Sequence, residues 1–69
     1  MKHHIKELRT SLGWTQEQFS ENLGVSRQTI ISIENGRYNP SLELAFRISK
    51  LFGKTIEDVF IFEEGSEEQ

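Results

Sequence analysis

Apolar residues recur at helical spacing in five short segments of the chain. Ile5, Leu8 and Leu12 follow an i, i+3, i+7 pattern, which predicts a first helix within residues 3–12. The same periodicity predicts four more helices, ending near Leu23, Glu34, Phe52 and Phe60. No segment alternates long enough to predict a strand with confidence. The pattern therefore indicates an all-α fold of five short helices.

Local start signals support the second and third helices. Thr15 with Gln18 three residues later forms the pattern of a capping box, and Trp14 and Phe19 occupy the two positions of a hydrophobic staple. Ser26 is the candidate N-cap of the third helix. These signals predict where two helices begin without any knowledge of tertiary contacts.

The last two helices and the turn between the second and third have signals of their own. Asn39 and Ser41 are both candidate N-caps of the fourth helix, and Thr55 is the candidate for the fifth. Gly24 separates the second helix from the third, and a short turn that contains glycine is typical of a helix-turn-helix unit.

The solvent face of the third helix carries side chains suited to DNA. At about 100° per residue, Ile30 and Ile33 point inward, while Gln28 and Ser32 point almost directly away from them and Ile31 lies beside these two. Glutamine can pair with adenine through two hydrogen bonds, serine can contact several base edges, and an aliphatic group suits the thymine methyl. The alternative interpretation is that any amphipathic helix shows such side chains to water.

Four sequence blocks closely resemble the Cro/cI-type helix-turn-helix regulators, also called the xenobiotic-response-element family. They are TQ at 15–16, LGVSRQTI at 23–30, IENG at 33–36 and NPSL at 39–42. The resemblance covers residues 5–60 and implies a five-helix domain like that of lambda repressor, which binds double-stranded DNA.

The resemblance also implies roles for individual positions. The positions matching base contacts are Arg27, Gln28, Thr29, Ile31 and Ser32. The positions matching contacts to DNA phosphates are Gln16, Arg37, Tyr38 and Asn39. Gln16 also braces the recognition helix, which is the third helix, residues 26–34, and is expected to enter the major groove. Arg9 and Glu34 match a partly buried structural ion pair. The alternative for that pair is two solvated charges that contribute well under about 1 kcal/mol.

The formal net charge of −3 comes from 8 basic and 11 acidic residues, but these are unevenly distributed. Residues 1–54 contain all 8 basic and 5 acidic residues, whereas residues 55–69 contain 6 acidic and no basic ones. Such asymmetry indicates a charged tail. We expect residues 63–69 to be flexible and to lie away from DNA, as a solubilising, autoinhibitory or protein-docking segment.

A single recognition helix contacts only a few base pairs, so we expect a homodimer on a palindromic operator. The candidate dimer interface lies in the apolar segment at the end of domain 1–62, and comprises Val59, Phe60, Ile61 and Phe62. This segment could pair with its mate as helix ends or as a short strand at the dimer interface. Alternatively, Val59 and Phe60 complete the core of one chain.

Other classes of function lack support in the sequence. There is no cysteine and no glycine-rich phosphate loop, and His3 and His4 are adjacent, which does not form a ready metal site. We therefore expect no enzyme, cofactor, metal or small-molecule ligand. An 18-residue apolar run and a secretory signal are also lacking, which favours a cytoplasmic protein.

The sequence thus predicts a sequence-specific DNA-binding regulator, more readily a repressor by steric occlusion than an activator. The alternative is a protein-interaction module of the same fold, similar to an antitoxin, in which DNA binding is secondary.

Overall fold

The computed structural model describes residues 2–61, which form five α-helices and one short two-stranded sheet. The elements in chain order are β1 (Lys2–His3), α1 (Ile5–Ser11), α2 (Gln16–Leu23), α3 (Arg27–Glu34), α4 (Leu42–Phe52), α5 (Ile56–Val59) and β2 (Phe60–Ile61). The predicted five-helix architecture is confirmed. The expected acidic tail and Phe62 lie outside the described residues.

The predicted N-caps of α2 and α3 form as expected. The Thr15 hydroxyl accepts a hydrogen bond from the Gln18 amide at 3.0 Å, and the Gln18 side chain accepts one from the Thr15 amide at 2.9 Å. The Ser26 hydroxyl accepts from the Thr29 amide at 3.1 Å. Each cap satisfies an amide that the first turn of a helix would otherwise leave without a partner.

Of the two candidates for the N-cap of α4, the structure uses Ser41. Its hydroxyl accepts a hydrogen bond from the Leu44 amide at 3.1 Å. Thr55 and Asp58 form a second capping box at the start of α5. Four helices therefore begin at side-chain caps that are local in sequence, which is why their start positions could be predicted.

The hydrophobic core is built from all five helices and β2, and its members are Ile5, Phe19, Leu23, Ile30, Ile33, Leu44, Ala45, Ile48, Val59 and Phe60. Next to it, the rings of Trp14, Phe19 and Phe52 pack against one another in a triangle, with centroids 5.3–6.2 Å apart. The buried face of α3 is thus anchored in the centre of the domain, and this leaves its opposite face for solvent.

The first helix lies within the predicted residues 3–12, at Ile5–Ser11. The helix begins at Ile5 because His3 pairs with Phe60 in an antiparallel sheet, and it ends at Ser11. Leu12 is consequently 51% exposed, although its spacing placed it on the apolar face.

For the C-terminal segment, the structure agrees with the alternative in which Val59 and Phe60 complete the core of one chain. Val59 and Phe60 are 0% and 1% exposed, so they belong to the core of one chain and offer no surface to a second. Phe60 belongs to β2, which pairs with β1 of the same chain and places Lys2 opposite Ile61. The His4 amide extends this contact by donating to the Val59 carbonyl at 2.8 Å.

Candidate nucleic-acid interface

The turn between α2 and α3 fixes the recognition helix relative to the helix before it. Gly24 adopts a φ of 74°, a left-handed conformation that glycine adopts without steric cost. The amide of Val25 then donates to the Ser20 carbonyl at 3.1 Å, which closes the end of α2. Any side chain at position 24 would strain this turn and change the angle between the two helices.

The outer face of α3 has the composition predicted from the sequence. Ile30 and Ile33 are buried, whereas Arg27 and Gln28 are exposed and Ile31 and Ser32 are half-buried. Gln28 therefore has its amide in solvent, on the side of α3 that faces away from the core. This is the position that a side chain needs in order to reach a base edge.

A surface groove of about 260 Å³ runs along this face and is lined by Ser26, Gln28, Thr29, Ser32 and Tyr38. Every one of these side chains has a hydroxyl or an amide, so the groove offers both donors and acceptors. Tyr38 belongs to the segment after α3, and its presence in the groove shows that this segment folds back beside the recognition helix.

The hydroxyls of Ser26 and Thr29 contact each other at 2.9 Å within this groove. Ser26 also caps α3 through the Thr29 amide. Thr29 is therefore held by a partner of its own chain, unlike Gln28, and its first role is to order the N-terminal turn of α3. Its half-buried side chain still borders the groove.

A second depression of about 270 Å³ lies at the N-terminus of α2 and is lined by Thr15, Gln16, Glu17 and Arg27. Backbone amides at the start of a helix and a guanidinium are both suited to bind a phosphate oxygen. Arg27 lines this depression and directly precedes Gln28 of the groove, so it is placed to contact a phosphate as well as a base.

Glu34, the last residue of α3, accepts hydrogen bonds from two other helices. Arg9 of α1 donates through Nε at 2.7 Å and through Nη2 at 3.3 Å, and Gln16 of α2 donates through Nε2 at 3.0 Å. The remaining guanidinium nitrogen of Arg9, Nη1, donates to the Trp14 carbonyl at 2.8 Å. The Arg9 and Glu34 side chains are only 8% and 4% exposed, so the expected structural ion pair is present and is nearly buried.

This arrangement lets Gln16 brace α3 and still keep a donor for a second partner. A side-chain amide carries two N–H donors. One of them is directed at Glu34, and Gln16 is half-buried at the edge of the depression beside Arg27. The second donor is therefore available to a phosphate oxygen, with its position set by Glu34.

The same ion pair changes the charge of the surface. The segment 15–38 contains two arginines and three glutamates, a slightly acidic composition that is unfavourable for binding DNA. Glu34 is buried and neutralised by Arg9, so it does not contribute an exposed negative charge.

The segment after α3 is fixed by its backbone. The amides of Arg37 and Tyr38 both donate to the Ser32 carbonyl, at 2.9 Å and 3.3 Å. The side chains of Arg37, Tyr38 and Asn39 are exposed. These three predicted phosphate contacts therefore lie together next to the C-terminal end of α3.

Two residues that support the site were not identified from the sequence. The His3 ring accepts the Ile5 amide at Nδ1 and so donates from Nε2 to the Ile33 carbonyl at 2.9 Å, near the end of α3. Arg47 of α4 donates to the Leu23 carbonyl at the end of α2. Both contacts join residues more than 20 positions apart, so no local sequence pattern indicates them.

Within the described range 2–61, no group of three or more histidine, cysteine, aspartate and glutamate side chains is arranged to hold a metal ion. None of the helices in this part of the chain is long and apolar enough to span a membrane.

Comparison with known proteins agrees with this geometry. An uncharacterised HTH-type transcriptional regulator of Methanocaldococcus jannaschii is 56% identical over 64 residues, which cover 93% of this chain and 97% of that protein. A second uncharacterised regulator of this type, YgzD of Bacillus subtilis, is 52% identical over 64 residues, again 93% of this chain and 97% of the relative.

A solved structure of a hypothetical transcription factor from Neisseria has the same fold. It superimposes with a TM-score of 0.73 at 22% identity, over 78% of this chain and 61% of that one. The model of the helix-turn-helix family matches residues 5–59. The chain therefore belongs to the Cro/cI-type helix-turn-helix family of DNA-binding transcriptional regulators.

Proposed function

We propose that this protein is a sequence-specific transcriptional regulator that acts in the cytoplasm and inserts α3 into the major groove of an operator. The observation that carries the proposal is the groove lined by Gln28, Ser32 and Tyr38, in which every lining side chain carries a hydroxyl or an amide and which lies opposite the buried face of α3. Gln28 reads a base, with Arg27, Thr29, Ile31 and Ser32 as further base contacts.

Phosphate contacts on both sides of α3 would set its position in the groove. Gln16 supplies one of them from the N-terminus of α2, and Arg37, Tyr38 and Asn39 supply others from the segment after α3. Contacts of this kind fix the register of a protein on the duplex, whereas contacts to base edges provide the specificity.

The operator is expected to be a palindrome bound by a homodimer. One α3 of eight residues reaches only a few base pairs, and two copies related by a two-fold axis would occupy half-sites about 34 Å apart. Of the interface predicted from the sequence, Ile61 is the one residue within 2–61 that has surface to offer, at 36% exposed.

Repression is the simplest outcome of such binding. A protein that occupies an operator overlapping a promoter excludes the polymerase without any further contact. Activation, by contrast, would need a surface that binds the transcription machinery.

Selection of bound sequences from a random DNA pool tests the proposal directly. The expected result is a palindrome whose half-sites are separated by about one helical turn. Recovery of unrelated sequences with no common motif would contradict it and favour the protein-interaction module. A reporter placed behind the selected sequence then separates repression from activation.

A further inference from the structure

Helix α4 exposes the two most solvent-accessible large hydrophobic residues of the described chain. Leu42 is 80% exposed and Phe46 is 54% exposed. They are four positions apart, which places them on one face of the helix. Lys50 continues the same line, and its Nζ lies 5.7 Å from the centroid of the Phe46 ring. We call this set, Leu42, Phe46 and Lys50, the α4 stripe.

The α4 stripe is not part of the core. The side of α4 that packs against the domain is formed by Leu44, Ala45, Ile48 and Ser49, all of them buried. Leu42 and Phe46, the two apolar members of the stripe, are not needed to complete this contact, and together they form an exposed apolar patch. A second surface that covers the stripe would account for both exposed side chains.

We propose that the α4 stripe is the contact between two copies of this chain, with the two α4 helices antiparallel about a two-fold axis at Phe46. This inference rests on the proposed function, because it supplies the second copy that a palindromic operator requires. It identifies the partner as the chain itself and the interface as Leu42, Phe46 and Lys50, in place of the C-terminal segment.

Charge complementarity selects the second copy as the partner. Glu43 precedes Phe46 by three residues, about 4.5 Å along the axis, and Lys50 follows it by four, about 6 Å. At about 100° per residue the two lie on the same flank of the stripe, about 60° and 40° from Phe46. A two-fold axis that is perpendicular to the helices and passes between the two Phe46 side chains therefore brings Glu43 of one copy opposite Lys50 of the other. Measured along the helix axis, the levels of these two residues differ by about 1.5 Å. Two opposite-charge pairs result, one at each end of the contact.

A parallel arrangement lacks this complementarity. It would set Lys50 level with Lys50 and Glu43 level with Glu43, on opposite flanks of the contact, so no opposite-charge pair would form. The order of charges along α4 consequently favours the antiparallel pair.

The position of α4 suits two DNA half-sites. Leu42 begins α4 four residues after Tyr38, and Tyr38 lines the groove along α3. The N-terminus of α4 is therefore the end nearer to the groove. Antiparallel α4 helices put the two N-termini, and with them the two grooves, at opposite ends of the pair.

The area buried between the two α4 stripes is small, and this decides which experiments can detect the association of the two copies. A stable complex buries about 800 Å² per partner, far more than two apolar side chains can supply. We therefore expect weak association of the free protein and a strong effect when two half-sites hold two copies side by side.

The absence of cysteine from the chain allows a direct test. In Phe46→Cys the two thiols meet on the two-fold axis, where a disulfide can form if the Cα atoms come within about 7 Å. We expect mild oxidation of the full chain to produce covalent dimers faster for Phe46→Cys than for Leu12→Cys, an exposed position just beyond the end of α1. Equal rates would overturn the proposal, and fastest cross-linking of Ile61→Cys would place the dimer contact at β2 instead.

Charge substitutions in the Phe46→Cys background test the antiparallel register. Lys50→Glu should slow cross-linking, because it places two acidic residues together at each end of the contact. Adding Glu43→Lys should restore the rate, although both changes oppose the helix dipole and lower the melting temperature. Failure of the double change to restore cross-linking would contradict the register.

Binding to DNA separates failure of this inference from failure of the proposed function. On DNA with two half-sites from the selected pool, the double variant Leu42→Gln/Phe46→Gln should lose cooperative affinity by about 5–150-fold. On DNA with one half-site it should bind as the unaltered chain does, and Leu12→Gln should match the unaltered chain on both. Loss of binding to the single half-site would show that the stripe contacts DNA itself and would overturn the dimer contact. Absence of DNA binding by the unaltered chain would contradict the proposed function, while the cross-linking result would stand.

Discussion

Arg9 and Glu34 form a two-point ion pair that joins the first helix to the last residue of the recognition helix. The shorter contact, from Nε to Oε2, is 2.7 Å, and both side chains are almost entirely excluded from solvent. Because Gln16 donates to the same carboxylate, three helices meet at one point. The orientation of α3 is therefore fixed by a contact at its C-terminal end as well as by the turn at its start.

Arg9→Ala should destabilise the fold before it alters sequence preference. The change leaves the buried Glu34 carboxylate without its counter-charge and the Trp14 carbonyl without its donor, and breaking a buried ion pair costs about 3–5 kcal/mol. Urea or thermal denaturation measures the loss. Glu7→Ala is the control, since Glu7 pairs with His4 at 3.4 Å on the surface and should contribute less than about 1 kcal/mol. An unchanged melting temperature with altered operator preference would contradict the structural role of Arg9.

Gln28→Ala should relax discrimination at one base position of each half-site. The loss of a side chain that makes two hydrogen bonds to a base costs about 1–3 kcal/mol at that position and little elsewhere. Competition binding against operators that carry single base changes measures it. Asn22→Ala removes an exposed amide from α2 and should leave the whole preference profile unchanged.

Arg37→Ala should weaken binding to all sequences alike. Removing one phosphate contact per copy lowers the slope of log affinity against log salt by about 1 for each copy bound. A titration at several salt concentrations measures this slope. Lys54→Ala makes the same change in charge beyond the far end of α4, and it should have the smaller effect on the slope. A change in base preference with an unaltered slope would assign Arg37 to base recognition instead.

Arg47→Met should loosen the helix-turn-helix unit without removing any residue from the DNA surface. Its guanidinium binds the Leu23 carbonyl next to the turn at Gly24, and a hydrogen bond of this kind contributes about 0.5–1.5 kcal/mol. We expect a lower free energy of unfolding and a uniform reduction in DNA affinity, with the base preference retained. Denaturation and competition binding together check this. Reduced affinity at unchanged stability would indicate that Arg47 contacts DNA directly.

The helix start positions and the inward face of α3 could be predicted because their causes are local. Thr15, Ser26, Ser41 and Thr55 each cap an amide three residues away, so the whole interaction lies within one turn of sequence. The family resemblance adds the Arg9–Glu34 pair, which spans 25 residues and which the caps and the periodicity do not indicate.

Only the tertiary structure decided which apolar residues are covered, and by what. Val59 and Phe60 form the same apolar run whether they pack in their own chain or on a partner, and the pairing of β1 with β2 places them inside. Leu12 lies one residue beyond the end of α1 and is exposed, although its helical spacing predicted that it would be buried. The packing of α4 leaves Leu42 and Phe46 exposed as well. Hydrophobicity along a chain reports that a side chain favours burial, but the surface that buries it depends on contacts between distant segments.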